Sequence, residues 1–445
     1  MCRRHKNGRM LATSPQPPAT LYGIDFGTSN TVVTCQTGHQ TRILPLDDGG
    51  IIPSLLYFAK DRPVSIGSSA IHEYGQALHS HRNSSNLYST FRFFQAIKLA
   101  LKNPAFSGTR IFGQFWPAES LAGLFLREVK RLADEATGSQ VDQVVLGRPV
   151  VLGADPTADA ALQGRFHKTC LFAGFRAIDF VYEPVGAMLS DGTTYQGKVL
   201  VFDFGGGTLD ISIASIGNGQ VSLLANAGLD LGGYSLNEDL SRARVIGHFG
   251  FHGKFRTMTG RYLDMPTWIT DQVASFYALP LAELAKTRNA IKDLIPEARA
   301  ADKPKLKGLL EFIDCNMAFD LFDRIDQAKI RLSDSQTTAI EFAVPPFVQL
   351  AESVSRPAFE SMIAPRVGAA RSLILAALCE AGLQPVDIDR VVRVGGSCRI
   401  PAFIRLLEDL FPGRVSAGEA FTSIAAGLIA ARQLGLTVHG TNPPA

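Results

Sequence analysis

The stretch 198–208 reads KVLVFDFGGGT and decides the fold. Its first seven residues predict a buried β-strand, and Asp203 lies near the end of that strand, just before a turn with three glycines. Glycine permits unusual backbone dihedrals and lets backbone NH groups come close to a phosphate. Because a carboxylate would repel a triphosphate, Asp203 is expected to hold Mg²⁺ and its water ligands instead. The stretch therefore predicts a phosphate-binding turn formed by Gly205, Gly206, Gly207 and Thr208.

The same plan occurs near the start of the sequence. A predicted strand over 21–26 contains Asp25 and is followed by the turn Gly27-Thr28-Ser29. Each turn then leads into two further short strands, over 31–35 and 41–44 in the first copy and over 209–215 and 221–225 in the second. One such turn alone is usually an ordinary hairpin. Two of them after matching strands predict a pair of turns that grip one triphosphate from both sides, with Asp25 and Asp203 as the metal ligands.

Each copy continues in the same way. The first has a helical pattern over 119–136 followed by an apolar strand over 143–146. The second has a helical pattern over 347–381 followed by a strand over 390–394. This parallel indicates an internal duplication and predicts two α/β lobes, in which ligands collect at the turns that follow the strands.

The expected domain organisation follows from this duplication. Residues 1–20 are basic and then Pro-rich, and we expect a disordered tail there, with a transit peptide as the alternative because the segment lacks acidic residues. Lobe I is expected over 21–196 and lobe II over 197–434. Lobe II should carry an enlarged, mostly helical insertion over about 237–322 that contains Trp268. A final helix over 422–433 should pack back near lobe I, and 435–445 should form a second tail.

The composition excludes several classes of protein. A chain of 445 residues, 46% hydrophobic and with 41 glycines, is too long for one core and is typical of a glycine-punctuated α/β enzyme. Its 44 basic and 41 acidic residues give no reason to expect binding of nucleic acid. No apolar run approaches the roughly 20 residues of a membrane helix. The six cysteines are scattered, without the spacing of a zinc site or a disulfide framework. We therefore expect a cytoplasmic protein without nucleic-acid or membrane partners.

Two acidic residues are candidates for orienting a water molecule. Glu183 begins a predicted helix after an apolar strand over 178–181, which would place its carboxylate near the metal, although an ordinary helix-initiating Glu has the same pattern. Asp210 lies two residues past Thr208 and would point into the same cleft if the strand alternates regularly. The alternative for Asp210 is a polar residue on a solvated strand face.

Two further segments could hold a nucleoside. Lys329 and Ser333 are four residues apart and share one helix face, which would be simply a solvated face if it stood alone. The segment Gly395-Gly396-Ser397-Cys398-Arg399 lies between a predicted strand and a predicted helix. Its glycines would let the chain pass flat against a purine, and Arg399 could stack on that purine. An ordinary helix entry is the alternative for this segment.

Together these segments resemble the DnaK-type heat-shock protein 70 ATPases, in the order that the family has. The stretch 23–30 (GIDFGTSN) resembles the first phosphate motif, 201–210 (VFDFGGGTLD) the second, 394–401 (VGGSCRIP) the adenosine motif and 182–187 (YEPVGA) the linking helix. The chain length and the stretches 147–149 (GRP) and 173–175 (AGF) resemble the short YegD-like branch, which lacks the peptide-binding domain. The resemblance spans about 21–434. It implies an α/β, actin-like ATPase fold (ribonuclease H-like, duplicated), with two lobes around a nucleotide cleft.

The resemblance also implies roles for individual residues and the cofactors ATP or ADP and Mg²⁺. Asp25 and Asp203 would organise Mg²⁺, while Glu183 and Asp210 would orient the attacking water. Lys98, matched loosely by its position, would be the catalytic lysine. The residues implied in nucleotide binding are Gly27, Thr28, Ser29, Gly205, Gly206, Gly207, Thr208, Gly232, Gly233, Lys329, Ser333, Gly395, Gly396, Ser397 and Arg399.

The sequence departs from the family pattern at three places. Ile330 stands where the family has a basic residue that stacks on adenine, and Phe421 stands where it has an acid, so the base is expected to bind more weakly or less selectively. The sequence also ends soon after the helix predicted over 422–433. The β-rich peptide-binding domain and helical lid of the family are not among the resembling segments. We therefore expect no autonomous DnaK-style binding of extended apolar peptides.

The expected function is that of a slowly hydrolysing, stress-related and chaperone-related ATPase whose lobes open and close with Mg-ATP and ADP. A co-chaperone or client protein would bind through the insertion over 237–322. Two alternatives stay open: a nucleotide-gated scaffold that binds ATP with little turnover, and a sugar or acid kinase of the same superfold. The kinase is the weaker alternative because no clear sugar-binding cluster of acids or Asn residues stands out in the first lobe.

Overall fold

The structure is a computed structural model that describes residues 19–80, 90–153, 155–190, 196–217, 220–257, 259–275, 279–281, 284–418 and 423–438. The strands of the first half are β1 Ala19–Phe26, β2 Asn30–Thr37, β3 Gln40–Ile43, β4 Ile51–Pro53, β5 Leu56–Ala59, β6 Ser65–Ile66, β7 Phe91–Phe94, β8 Gly108–Ile111, β9 Gln114–Pro117, β10 Gln143–Arg148 and β11 Ala177–Tyr182. Those of the second half are β12 Gly197–Phe204, β13 Leu209–Gly217, β14 Gln220–Leu229, β15 Lys254–Arg256, β16 Tyr262–Asp264, β17 Thr337–Val344, β18 Val348–Ser355, β19 Arg390–Val394 and β20 Val415–Ala417.

Helices connect these strands and cover the sheets. The α-helices of the first half are α1 Gly67–Ser80, α2 Ile97–Lys102, α3 Ala118–Thr137, α4 Pro156–Ala173 and α5 Glu183–Met188. Those of the second half are α6 Gly233–Arg244, α7 Thr267–Ala274, α8 Leu284–Glu297, α9 Lys303–Asp314, α10 Ala318–Asp334, α11 Arg356–Glu380, α12 Pro401–Leu410 and α13 Ser423–Gln433. Short 3-10 helices lie at Ile246–Phe249, Leu279–Leu281, Pro385–Asp387 and Gly396–Arg399.

The first lobe is built on a sheet with the strand order β11-β10-β1-β2-β3, and β4 pairs with β2. Strands β1 to β3 form an antiparallel meander, whereas β10 and β11 run parallel to β1. One face packs against α3, where Phe26 stacks on Phe125 with ring centroids 5.6 Å apart. The other face packs against α5 and α13, through residues that include Val145, Val185 and Leu428. Helix α13, the last described helix of the chain, therefore lies on the sheet that contains β1, the first strand.

The second lobe repeats this topology. Its sheet has the order β14-β13-β12-β19-β20, with an antiparallel meander of β12 to β14 and with β19 and β20 parallel to β12. The two sheets therefore match strand for strand, and the internal duplication predicted from the sequence is confirmed. Because β1 and β12 occupy the same place in the two sheets, the turns that follow them occupy equivalent places as well.

One predicted helix is wrong in its first part. Residues 347–355 were expected to open the helix that ends near 381, but they contain β18, which pairs antiparallel with β17. The side chains of Val348, Leu350 and Val354 are buried and alternate with more exposed residues, which is the period of a strand and not of a helix. Helix α11 begins only after Ser355, whose Oγ accepts a hydrogen bond from Ala358 N at 3.4 Å.

The folded region also extends further at both ends than the sequence predicts. Strand β1 begins at Ala19, which is buried and donates its backbone NH to Ser139 Oγ at 3.1 Å. Beyond α13, Val438 donates its backbone NH to Phe180 O at 2.8 Å. Both segments complete hydrogen bonds of lobe I and so belong to the fold, not to tails. The remaining residues of the predicted tails, 1–18 and 439–445, and also Phe421, lie outside the described residues.

The insertion of lobe II contains more than helices. The hairpin of β15 and β16 lies between α6 and α7, and α10 runs on past the predicted end of the insertion at 322. Its core is continuous with that of the lobe, where the rings of Phe249 and Phe312 lie 5.2 Å apart. Tyr262, Leu263 and Trp268 are 51%, 58% and 42% exposed. The insertion is thus firmly attached to lobe II while presenting large apolar side chains to solvent.

Helix α11 is long and apolar enough to cross a membrane when length and composition alone are considered. Charged residues, among them Glu360, Arg366 and Arg371, interrupt its apolar sequence, so it is not an uninterrupted apolar run. In the described structure α11 packs on β13 and β14 and buries residues that include Phe359, Ile363 and Ile374. These contacts are those of a helix that covers a sheet.

Candidate nucleotide site

A cavity of about 280 Å³ lies between the lobes, where the two predicted phosphate turns meet. The predicted site residues that line it are Asp25, Gly27, Thr28, Ser29, Lys98, Glu183, Asp203, Gly205, Gly206, Gly207, Thr208, Lys329, Ser333, Gly395, Gly396, Ser397 and Arg399. Three others, Asp210, Gly232 and Gly233, lie just outside the lining. Residues far apart in the sequence are therefore brought together around one space.

The two turns come from different lobes and touch each other. The turn after β1 is fixed by Ser54, whose Oγ donates to Gly27 O at 2.9 Å. A Cβ atom added to Gly206 would lie 2.6 Å from Ser29 Oγ, and one added to Gly207 would lie 2.6 Å from Thr28 Oγ1. A side chain at either position would therefore have to displace side-chain atoms of lobe I. The cavity is closed at this end by the two turns.

Four carboxylates and one lysine are buried together beside the turns. The carboxylates are those of Asp25, Glu183, Asp203 and Asp210, and the lysine is Lys98 at the start of α2. Lys98 Nζ donates to Glu183 Oε1 at 2.5 Å. Burial alone would lower the pKa of Lys98, but the neighbouring Glu183 and Asp25 outweigh it and raise that pKa. Lys98 is therefore protonated at neutral pH, and the group as a whole is short of positive charge.

This shortage shows in the pKa values of the aspartates. Burial, and then the charge of Glu183, raise the pKa of Asp25 to about 7. The same two causes raise the pKa of Asp203 well above its usual value and that of Asp210 to about 6. A cation bound between Asp25 and Asp203 would relieve this repulsion.

The donor set suits Mg²⁺ in particular. Mg²⁺ usually binds one or two carboxylates together with substrate phosphates and keeps several waters. The four buried carboxylates are not arranged to enclose a metal ion by themselves, and no other group of three or more His, Cys, Asp or Glu residues in the described part of the chain is either. Two aspartates beside two phosphate turns therefore fit an Mg²⁺ ion that arrives with a nucleotide, and not a cage made of protein ligands alone.

These pKa shifts predict how stability depends on pH without ligand. Because the folded protein raises the pKa of Asp25 from 3.8 to about 7, it binds more protons than the unfolded chain between those values. The free energy of unfolding should therefore fall as the pH rises through that range. Urea unfolding in EDTA at pH 5.5 and 7.5 would measure the fall, which should be smaller in Asp25→Asn. An equal fall in wild type, Asp25→Asn and the surface control Asp142→Asn would contradict the assignment.

The other end of the cavity is lined by α10 and the segment after β19. Lys329 Nζ donates to Asp326 Oδ1 at 2.6 Å and to Gly233 O at 3.3 Å, while Ser397 Oγ donates to Gly205 O at 2.9 Å. Gly395 has φ of 82°, a left-handed conformation that favours glycine. Arg399 is exposed at the rim, where its guanidinium is available to a ligand.

Gly232 and Gly233 lie behind the second phosphate turn. Gly233 donates its backbone NH to Gly205 O at 3.0 Å, at the start of α6. A Cβ atom on Gly232 would lie 2.3 Å from Gly206 O, and one on Gly233 would lie 2.7 Å from Ser397 Oγ. Because these two glycines have no side chain, α6 can pack directly against the second phosphate turn.

This packing predicts that Gly232→Ala displaces the turn. The added methyl group would collide with backbone atoms, and overpacking of this kind costs about 1–3 kcal/mol. ATP affinity, measured by calorimetric titration, should fall by about tenfold or more. Gly164→Ala on α4 is the control, because a Cβ there meets no atom within 4 Å. Unchanged ATP affinity in Gly232→Ala would show that the turn does not depend on this support.

Asp210 lies one layer behind the cavity and pairs with Asp203 across β12 and β13. Its Oδ1 accepts a hydrogen bond from Val150 N at 2.8 Å, in the loop after β10. Its Oδ2 is buried and has no hydrogen-bond partner among the described residues. A buried carboxylate oxygen of this kind is an acceptor for a water molecule.

Several residues that line the cavity were not predicted as site residues. Asn30 and Tyr234 directly follow predicted residues, and Asp326 lies one helical turn before Lys329, a spacing that could have indicated their ion pair. The others are Ile330, Asp334, Ile400 and Ile424. Ile424 belongs to α13, and nothing in its local sequence indicates that it reaches the cavity.

Comparison with known proteins agrees with this architecture. The Hsp70 protein family profile matches residues 21–249 and 312–426. The chaperone protein DnaK of Cyanidioschyzon merolae is 27% identical over 411 residues, which cover 88% of this chain and 58% of the relative. The DnaK proteins of Thermosipho africanus and Thermus thermophilus are each 25% identical, over 88% of this chain and 55% and 57% of their own lengths. The chain thus spans a little more than half the length of these relatives.

The matched residues include both phosphate turns, the Lys98–Glu183 pair and the segment after β19, and leave out 250–311 in the insertion. The chain belongs to the Hsp70 family, and its two matching lobes have the actin-like ATPase fold of that family.

Proposed function

We propose that the chain binds Mg-ATP between its lobes and slowly hydrolyses it to ADP and phosphate. The observation that supports this most strongly is the meeting of two phosphate turns, one from each lobe, over the buried Lys98–Glu183 pair. Membership of a family of chaperone-related ATPases supports the same function. We further propose the YegD-like branch of the family, on the stretches 147–149 and 173–175.

The buried groups have distinct roles in this proposal. Phosphoryl transfer to water leaves negative charge on the oxygens of the γ-phosphate, and the protonated Lys98 stabilises that charge. Glu183 holds Lys98 in place and, with Asp210, orients the attacking water, for which Asp210 Oδ2 is a buried acceptor. Asp25 and Asp203 hold Mg²⁺, which when bound neutralises phosphate charge.

The nucleotide is held from three sides. Backbone NH groups of the two turns, with Thr28 and Thr208, bind the phosphates, and α6 supports the second turn through Gly232 and Gly233. Lys329, Ser333 and the segment 395–399 bind the adenosine. Ile330 lines the cavity and is 47% exposed, so one face of the adenine base contacts this aliphatic side chain. Arg399 stacks on the base.

The lobes also touch each other at a contact outside the two phosphate turns. A contact that can form and break supports opening and closing of the lobes with nucleotide state. Tyr74 OH donates to Asn316 O at 3.0 Å, and the ring of Phe319 lies 5.3 Å from that of Tyr74 and 4.5 Å from that of Phe93. Arg92 donates to Pro280 O on the same side of the cleft. These contacts must break before the lobes can separate there and let a bound nucleotide leave between them.

Weakening the contact should accelerate nucleotide release. Phe319→Ala removes two aromatic pairs between the lobes, each worth about 0.5–1.5 kcal/mol beyond buried area. The dissociation rate of a fluorescent ADP analogue should rise by about tenfold. Phe115→Ala, on the exposed hairpin of β8 and β9, is the control. Equal dissociation rates in the two variants would show that the contact does not limit release.

A nucleotide-gated scaffold with little turnover remains the second candidate. The observation that favours it is the segment 250–311, which the family profile does not match and which exposes Tyr262, Leu263 and Trp268. A co-chaperone or client would bind there.

We propose the cytoplasm as the location, because the five cysteines of the described residues are free, as in a reducing compartment.

A single-turnover assay with γ-labelled ATP, with Mg²⁺ or with EDTA, separates these functions. Mg²⁺-dependent release of labelled phosphate from the protein-bound nucleotide supports the ATPase. Tight Mg-ATP binding without cleavage supports the scaffold, provided that cleavage is also absent after addition of a protein that binds the segment 250–311. Failure to bind Mg-ATP at all would reject both.

A further inference from the structure

A second cavity lies directly behind the two phosphate turns. It has a volume of about 330 Å³, and its lining includes Leu99 and Lys102 of lobe I and Gly207, Asp230 and Tyr234 of lobe II. Gly207 and Tyr234 also line the nucleotide cavity, so that one wall separates the two spaces. At about 30 Å³ per water molecule, this rear cavity has room for a phosphate ion and its hydrating waters.

The wall between the cavities is thin and is divided between the lobes. A Cβ atom on Gly207 would lie 2.6 Å from Thr28 Oγ1 and 2.7 Å from Leu99 Cδ2. Thr28 and Leu99 belong to lobe I, whereas Gly207 belongs to lobe II. A small separation of the lobes would therefore open a passage beside both phosphate turns, where the terminal phosphate is expected.

Lys102 gives the rear cavity a positive charge that the proposed hydrolysis does not use. Its side chain is only 6% exposed, and its Nζ lies 2.6 Å from Oδ1 of Asp230, whose side chain is 81% exposed. An ammonium has three N–H donors, so that two remain for another acceptor even while this ion pair exists. Ion pairs with a carboxylate in solvent are weak, so Asp230 can move away at little cost.

We propose that the rear cavity binds inorganic phosphate, with Lys102 replacing its contact to Asp230 by one to the anion, and that product phosphate leaves by this route. The proposal rests on the proposed ATP hydrolysis. In that reaction the oxygen of the attacking water bonds to the γ-phosphorus, the bond from this phosphorus to the β–γ bridging oxygen breaks, and the proton lost by the water ends on the products, all before the phosphate moves. No bond changes during the transfer itself. The phosphate leaves on the side of the turns away from Lys329 and Ser333, so ADP can stay bound.

Equilibrium dialysis of labelled inorganic phosphate against the protein loaded with Mg-ADP tests the site without requiring hydrolysis. Lys102→Met should weaken phosphate binding by about tenfold, since it removes a hydrogen bond to a charged group, and Lys102→Arg should restore it. Asp230→Asn should tighten binding by severalfold, because it removes the competing carboxylate. Phosphate binding that is lost in Lys98→Met and unchanged in Lys102→Met would overturn the proposal by placing the ion in the nucleotide cavity.

Release is then followed in a single turnover, with rapid quench for cleavage and a fluorescent phosphate-binding protein for release. The delay between cleavage and release should lengthen in both Lys102→Met and Asp230→Asn, for opposite reasons. Lys102→Met loses the contact that binds phosphate on the exit route, whereas Asp230→Asn holds phosphate too tightly in the rear cavity. Unchanged delays in both would overturn the proposed route. Absence of cleavage in the wild type would reject the proposed ATPase, while the dialysis result would still decide whether the rear cavity binds phosphate.

Discussion

Asp203→Asn should weaken Mg-ATP binding by about ten- to a hundredfold, because it removes one of two carboxylates available to Mg²⁺ at the phosphate turns. Calorimetric titration with ATP in the presence of Mg²⁺ measures this loss. In EDTA the variant and the wild type should differ much less, since the aspartate then only repels the phosphates. The effect is therefore expected to be specific for the metal complex.

The same substitution provides its own control for folding. Asp203 is 5% exposed, and its pKa is raised well above the usual value, first by burial and then by the charge of Glu183. Asn at this position cannot ionise and so avoids the cost of a buried negative charge, and the ligand-free variant should therefore unfold at the same temperature as the wild type or higher. Asp142→Asn, just before β10 on the surface, should leave Mg-ATP binding unchanged. Equal affinity in Asp203→Asn and Asp142→Asn would remove Asp203 from the site.

Lys98→Ala should lower the single-turnover rate of ATP cleavage by about ten- to a thousandfold while ATP still binds. The loss follows from the position of Lys98, which is buried, protonated and held 2.5 Å from Glu183 beside both turns. Rapid-quench measurement with saturating ATP isolates the chemical step. Lys60→Ala, an exposed lysine of lobe I, should cleave ATP at the wild-type rate.

A second variant protects this prediction against misfolding. Removing Lys98 leaves the carboxylate of Glu183 buried without its partner, which can cost about 3–5 kcal/mol of stability. The double variant Lys98→Met with Glu183→Gln removes both charges and should fold, bind ATP and cleave it no faster than Lys98→Ala. A folded Lys98→Ala protein with the wild-type cleavage rate would leave water orientation by Glu183 and Asp210 as the source of catalysis.

The duplicated sheet was predictable because its strands carry their own signals. The run before Asp203 is apolar throughout, as expected for a strand buried on both faces, and glycines mark where it ends. The same pattern before Gly27 gave the second copy. The strand over 348–355 was missed, although its alternation was visible, because it directly precedes the long apolar helix α11. Adjacent patterns of different period are hard to divide from sequence alone.

Contacts between distant segments were the part of the site that the sequence could not provide. Asp210 was expected in the cleft from strand alternation, but its hydrogen bond to Val150 N depends on how the loop after β10 meets lobe II. Likewise, Ile424 reaches the cavity only because α13 returns to lobe I. The second cavity depends on the meeting of Lys102 and Asp230, 128 residues apart in sequence. No local pattern encodes such a contact.

The central claim is that one Mg-ATP lies between the two phosphate turns. A crystal structure of the protein with Mg²⁺ and a non-hydrolysable ATP analogue tests it most directly. The account predicts the β- and γ-phosphates between the turns at Gly27 and Gly205, the metal beside Asp25 and Asp203, and Lys98 Nζ within hydrogen-bond distance of a γ-phosphate oxygen. A nucleotide bound elsewhere, or phosphates that contact only one of the two turns, would contradict it.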